Sequence, residues 1–295
     1  MEQQIQELRA LASRAENRRT ETGIPRVAMV QGEIPEQLLA AVYTPMVNLI
    51  LTGSKTMTIG DRTFHYDPAT YFVMSVDLPA VGSVHPSATG EPYLAVSLTL
   101  DAAIVGELIR DLPLDVCSTL FGSGFSVAPV GSELLDAWIR MLRLIERPGE
   151  IAVLAPVYER EILFRVLQGP LGWMLRDIAS PNTALARIGI AINWIRHNFT
   201  EQIRMDALAE MAALSVSAFH RHFKAVTALS PLQYQKRVRL LHARSRLMAG
   251  QGSATSIAFS VGYESPNQFS REYARLFGLP PSKDVLKATQ EFRGG

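Results

Sequence analysis

Two stretches of the C-terminal third set hydrogen-bonding side chains at helical spacing: Ser217, His220, Arg221 and Lys224, then Asn267, Gln268, Ser270 and Arg271. The chemistry open to such groups is recognition rather than bond-making. An arginine pairs through two donors with guanine, and asparagine or glutamine pairs with adenine, on edges that duplex DNA displays in its major groove. Opposite each set runs an apolar row, Phe219, Phe223 and Val226 in the first and Phe269, Tyr273 and Phe277 in the second. That i, i+4, i+7 or i+8 spacing belongs to a helix with one face in a core. Lys224, Lys236, Arg237 and Arg239 are the cations expected to meet phosphates.

Residues suited to catalysis are sparse and scattered. The single cysteine, Cys117, excludes an internal disulfide and a four-thiolate zinc site. It has two readings, a redox or electrophile sensor acting through its thiolate, or a small buried apolar residue. His65 and His85 stand alone, without the His-x-His pair and following carboxylate that a catalytic metal in a β-barrel needs. No Ser-His-Asp order, phosphate-binding glycine loop or close carboxylate pair stands in a convincing context. The expectation is a protein that is not an enzyme and needs no cofactor or metal.

The elements that must hold the recognition residues occur twice. ALAEMAALSVSAFHRHFKAVTALSP (207–231) is echoed by SIAFSVGYESPNQFSREYARLFGLPP (256–281). Ser215 answers Ser265, Phe219 answers Phe269, Arg221 answers Arg271 and Pro231 answers Pro281 at an offset of 50. In the preceding helix Ala209 answers Ala258 at 49, so the second turn is one residue longer. Each copy reads as a short helix, a tight turn and a helix opened by a hydroxyl residue, the helix-turn-helix arrangement. Between them the pattern from Gln233 to Met248 predicts a helix of 16 residues. It would be about 24 Å long, enough to hold two recognition helices roughly one DNA turn apart.

Upstream the periodicity differs. Ile5, Leu8, Leu11 and Ala12 predict a peripheral amphipathic helix within residues 1–20. From 24 to about 100, short apolar runs cut by Gly, Pro and Asp, with a turn at Ile59-Gly60-Asp61, predict antiparallel strands in a sandwich or small barrel. Helical pattern returns after Asp101. Ser132 is placed as an N-cap before the stripe Leu135, Ile139, Leu142 and Ile145, which is either core or a dimer surface, and a second helix runs from about Pro156 to Ala179 with a break near Gly169-Pro170. Ser180-Pro181-Asn182 reads as a linker, giving a helix over 1–23, one domain over 24–180 and another over 183–295.

The bulk numbers agree with two folded domains: 295 residues, 47% hydrophobic and 19% charged, with no apolar run of the ~18 residues that a membrane span needs. The start lacks the apolar core of a signal peptide, so a cytoplasmic protein is expected. The net charge of +1 conceals a split: residues 183–295 hold 15 Lys and Arg against 7 Asp and Glu (+8), and residues 1–182 hold 14 against 21 (−7). A basic third suits a polyanion.

On LAEMAALSVSAFHRHFK, SPLQYQKRVRLLHAR and SIAFSVGYESPNQFSREYARLFGLPP, residues 185–288 resemble the double helix-turn-helix domain of the AraC/XylS family of bacterial regulators. The resemblance implies base-contacting positions at Ser217, His220 and Arg221 in the first unit and at Pro266, Asn267, Gln268, Ser270 and Arg271 in the second. Three positions depart from it. Ala213 and Ala228 stand where the family mostly has glycine, and Ala274 stands where it commonly has a phosphate-contacting Lys or Arg. YTPMVNLILTGSKTMTIGDRTFHYDPATYFVMSVDLP resembles the N-terminal domain of one AraC-type subgroup. It implies an α+β chain: a cupin-like β-barrel with a helical appendage that senses a small molecule and dimerises, then an all-α domain with two helix-turn-helix motifs joined by a linker helix. The expected partners are double-stranded promoter DNA, RNA polymerase, an effector of unknown identity and a second copy in a homodimer. The competing reading is a metal-dependent cupin enzyme with a DNA-binding tail.

Overall fold

The computed structural model describes residues 1–15, 19–32, 39–112, 122–180 and 183–293, with side chains up to 287. Cys117 and the linker positions Pro181 and Asn182 lie outside the described residues. Among the described residues, ten strands form two antiparallel sheets. The larger is ordered β1 (Arg19–Glu21), β2 (Val27–Gln31), β9 (Leu94–Thr99), β4 (Met46–Thr52), β7 (Thr70–Met74) and β10 (Phe125–Pro129). The smaller is ordered β3 (Ala41–Tyr43), β8 (Leu78–His85), β5 (Ser54–Ile59) and β6 (Arg62–Tyr66).

These sheets are an open sandwich, which corrects the expected closed barrel: no described strand pair joins an edge of one sheet to an edge of the other. The chain crosses between the sheets through interior strands, from β4 into β5 at Gly53, so that among the described residues β1, β10, β3 and β6 are left as edges. The outer face of the larger sheet is also dry. MVNLILT of β4 is buried along its whole length because Val47, Leu49 and Leu51 pack under helices while Met46 and Ile50 face the other sheet. A strand buried on both faces reads as a continuous apolar run, without the alternation of a wall that is wet on one side. β5 does alternate, with Lys55, Met57 and Ile59 inward and Ser54, Thr56 and Thr58 outward.

The covering layer consists of α1 (Glu2–Ala12), α2 (Ala102–Arg110), α3 (Ser132–Arg143), α4 (Ile151–Gln168) and α5 (Gly172–Ala179). Leu8 and Ala12 of α1 are fully enclosed, so the N-terminal helix is core rather than peripheral. Leu135, Ile139 and Leu142 join the same core, which settles that stripe as packing. Asp101 caps α2 by accepting from the Ala103 amide, and the break between α4 and α5 falls at Gly169–Leu171 as the sequence indicates.

The described elements beyond are all helices: α6 (Ala184–His197), α7 (Met205–Met211), α8 (Val216–Thr227), α9 (Pro231–Met248), α10 (Ala254–Ser260), α11 (Pro266–Phe277) and α12 (Pro281–Arg293). The repeat becomes two units, α7–α8 and α10–α11, joined by α9. Four residues separate the helices of the first and five those of the second. Serines open each second helix: the Ser215 hydroxyl accepts from the Ala218 amide and Ser265 from Gln268, while Ser230 and Gln233 form a reciprocal capping box on α9. The two cores differ in what they join. Phe219, Phe223, Val226 and Tyr234 are continuous with the inter-sheet core, whereas Phe269, Tyr273 and Ile257 form a separate cluster.

Candidate nucleic-acid interface

The local geometry of each unit follows from its turns. Ala213 and Ala228 have φ of 51° and 56°, and their counterparts Gly262 and Gly278 have 88° and 80°. Left-handed backbone is therefore needed at both places in both copies. The first copy adopts it with a Cβ present, at a cost of about 1 kcal/mol each.

With the turns set, α8 and α11 bury their aromatic rows and turn their polar rows outward. Ser217, His220, Arg221 and Lys224 are exposed on α8; Asn267, Gln268 and Arg271 are exposed on α11, with Pro266 and Ser270 half-buried. The side chains of His220, Arg221, Lys224, Asn267 and Arg271 make no hydrogen bond or ion pair to the described residues. Ser217 lies 3.3 Å from the Ser215 hydroxyl, and Gln268 donates to Glu272 at 3.2 Å.

The remaining expected phosphate contacts are engaged within the chain. Lys236 of α9 pairs with Glu272 of α11 at 2.7 Å, and Tyr263 donates to the same carboxylate at 2.8 Å. Burial pushes the Glu272 pKa up, but the donors Lys236, Tyr263 and Gln268 outweigh it and hold the carboxyl below its ordinary value. Arg239 donates to the carbonyls of Phe199, Gly262, Thr200 and Glu201 at 2.6–3.1 Å, tying the loop after α6 to the turn of the second unit. Arg237 donates to the carbonyl of Gly60 at 3.1 Å, and burial lowers its pKa with partial compensation from Asp61.

That last contact is one the sequence did not signal. The turn between β5 and β6 is pressed against the end of α8, so closely that a Cβ on Gly60 would come within 2.4 Å of the Ala228 carbonyl. Around it the Gly124 amide donates to the Val226 carbonyl at 2.8 Å, the Tyr234 hydroxyl donates to the Asp77 carbonyl at 2.7 Å, and Arg196 pairs with Asp77 at 2.5 Å. Asp61 and Arg62 of the turn share one cleft with Arg221 and Lys224 of α8. Gly60 was legible as a turn residue, but nothing in one strand-turn-strand pattern names the distant helix that the turn meets.

Elsewhere the candidates for chemistry stay apart. His65 is exposed, 3.4 Å from the Thr56 hydroxyl, and His85 is exposed on β8. Among the described residues no three His, Cys, Asp or Glu side chains gather as a metal site, and no described helix is long and apolar enough to cross a membrane.

A model of the AraC-type transcriptional regulator N-terminus matches residues 23–174, just over half of the chain. The chain belongs to the AraC family of transcriptional regulators. A helix-turn-helix domain model matches residues 208–285, which takes in α8, α9, α10 and α11. Among similar curated proteins, the HTH-type transcriptional activator RhaS of Escherichia fergusonii is 38% identical over 142 residues, covering 47% of this chain and 51% of that protein. RhaS of Escherichia coli O1:K1 is 29% identical over 163 residues, covering 55% and 58%. The chain thus spans about half the length of the curated relatives it matches. An apo crystal structure of a ToxT variant from Vibrio cholerae has a TM-score of 0.59 at 11% identity, covering 91% of this chain and 99% of that one. At that identity it speaks to the fold alone.

Proposed function

We propose that this AraC-family chain is a sequence-specific DNA-binding transcription regulator, with residues 183–295 reading promoter DNA and residues 24–180 sensing a small molecule and pairing protomers. The observation that carries the reading is the duplicated unit, in which two capped helices present unpaired Arg, His, Asn and Lys side chains outward. In it Ser217, His220 and Arg221 of α8, and Pro266, Asn267, Gln268, Ser270 and Arg271 of α11, read base edges. α9, at 18 residues and about 27 Å, spaces them for adjacent major-groove segments. Lys224 meets phosphate directly, while Lys236, Arg237 and Arg239 reach it only by exchanging partners they hold within the chain. Once on a promoter, the regulator recruits or blocks RNA polymerase, and it works in the cytoplasm, where the chromosome is.

The docked turn supplies the regulatory element of this reading. The turn that carries Asp61 shares a cleft with Arg221 and Lys224 and stands in the way of a phosphate approaching them, so the docked arrangement is the weaker DNA binder. Genome-wide mapping of bound DNA, followed by titration of a recovered fragment against a scrambled one, tests the function. Six to eight phosphate contacts give a log-log salt slope of about −5 to −7. No recovered site, or binding indifferent to salt, refutes the assignment.

A further inference from the structure

The strand β5 holds a charge where its neighbours hold core. Lys55 occupies an inward position with Met57 and Ile59, and its side chain is almost wholly removed from solvent between the sheets. Its ammonium lies 4.8 Å from the centre of the Tyr43 ring and has no carboxylate or hydrogen-bond acceptor among the described residues. Directly across the β5–β6 pair stands Tyr66, fully buried, whose hydroxyl also has no partner. Tyr93 completes the group, near enough to Tyr43 and Tyr66 that ionisation of one phenol disfavours that of the others.

Burial of an ammonium without a counter-ion is costly, and of a phenol without an acceptor is costly too. Two donors of this kind with no acceptor form an incomplete site. The chain also withholds a side chain beside them: a Cβ on Gly82 of β8 would come within 3.1 Å of Lys55 Cε and 3.5 Å of the Tyr43 hydroxyl.

We propose that the space between the two sheets is the effector site, and that its effector is a small organic acid whose carboxylate is held by Lys55 Nζ and the Tyr66 hydroxyl. One carboxylate satisfies both donors and balances one positive charge. A neutral ligand leaves the ammonium uncompensated. A phosphate dianion needs a second cation, and Lys55 is the only buried one in the two sheets among the described residues. The body of the acid is aromatic or aliphatic, since the surrounding wall is Met57, Ile50, Phe72 and the tyrosine rings. This rests on the regulator reading above and gives it a route: β5 and β6, which carry Lys55 and Tyr66, are the two arms of the hairpin whose tip at Gly60 abuts α8.

The phenols of Tyr43, Tyr66 and Tyr93 are pushed up by burial and stay neutral through the working range, so Lys55, whose pKa burial lowers to about 8, sets the pH dependence. Carboxylate affinity falls about tenfold per unit above that value.

The test is titration calorimetry and thermal shift on the full chain at pH 7 with hexanoate, decanoate, benzoate and phenylacetate, each beside its primary amide. At least one acid is expected to bind and raise Tm while its amide does not. Lys55→Met abolishes that binding, and Tyr66→Phe weakens it about tenfold. The proposal is overturned if no acid binds, if acid and amide bind alike, or if both variants bind the acid as the parent does. Should Lys55→Met fail to fold, the Tyr66→Phe titration and the loss of affinity above pH 8 decide the matter. Promoter binding by the parent chain without ligand is measured separately, so a failed site with intact DNA binding leaves the regulator reading standing.

Discussion

Replacing Gly60 with alanine attacks the contact between the sandwich and the first helix-turn-helix unit at its tightest point. Gly60 has φ of 65°, so the new Cβ costs about 1 kcal/mol in backbone strain wherever the hairpin sits. The second cost depends on docking. The Cβ would meet the Ala228 carbonyl at 2.4 Å and the Ala228 Cβ at 2.8 Å, and backbone cannot swing aside as a side chain can. Lifting the turn tip off α8, with the Tyr234–Asp77 and Gly124–Val226 contacts left in place, breaks the hydrogen bond from Arg237 to the Gly60 carbonyl, a charged donor of the kind worth about 1.5–3 kcal/mol. If the docked turn keeps phosphate from Arg221 and Lys224, lifting it raises DNA affinity by up to about 10- to 100-fold, the same energy expressed as a ratio. The assay is fluorescence anisotropy of the full chain on a mapped promoter fragment at fixed salt. Gly90→Ala is the control, since Gly90 has φ of 84° but nothing within 4 Å of its Cβ. If Gly60→Ala binds DNA within twofold of Gly90→Ala, the docked turn does not compete with DNA and the regulatory part of the reading is wrong.

Three further outcomes are expected. Arg221→Ala and Arg271→Ala each cost about 1–3 kcal/mol on the specific fragment and little on scrambled DNA, whereas Lys224→Ala weakens both alike; competition titrations distinguish the two patterns. Ala213→Gly stabilises the fold by up to about 0.5 kcal/mol in denaturant melts, because left-handed strain outweighs the extra freedom glycine has when unfolded, and a clearly destabilised variant would contradict the turn geometry. Lys55→Met stabilises the ligand-free chain by about 3 kcal/mol at pH 7, since the lysine pKa falls from 10.5 to about 8 on folding. Between those values the unfolded chain binds more protons, so parent stability rises with pH and the gain from methionine fades by about pH 10.5; a gain that is constant with pH would assign it to packing instead.

What the sequence disclosed and what it withheld divide along physical lines. The duplicated units were legible because each helix carries its own periodicity, cap and turn, and the one-residue difference between turns appeared as the 49 and 50 offsets. Ala213 and Ala228 could be read as left-handed only by comparison with glycine at the matching places, and both are. Sheet closure was not legible: strand existence is local, but which edges pair depends on contacts between residues far apart in sequence. The uninterrupted run in β4 was a hint, since a strand with a wet outer face alternates and this one does not. An inward lysine at position 55 follows once Met57 and Ile59 fix the parity of β5, but strand parity alone does not say what partners its ammonium meets.

The two helix-turn-helix units are alike in sequence but not in setting, and the difference decides how the N-terminal part can act. Phe219, Phe223 and Tyr234 share a core with Phe72, Leu78 and Phe125 of the sandwich, so moving the sandwich exposes apolar surface of the first unit. The second unit has its own core, closed by the buried pair Arg244–Asp284, with the Tyr273 hydroxyl donating to the same carboxylate at 2.7 Å. Nothing of the described sandwich enters that cluster. In the proposed function a signal arising between the sheets meets α8 first, and it reaches α11 through α9, whose Lys236 and Arg239 bridge the units, and through Phe199, which packs against both cores. In the proposed function, the first unit is therefore the one whose DNA affinity a ligand can shift, while the second keeps its own core in either arrangement.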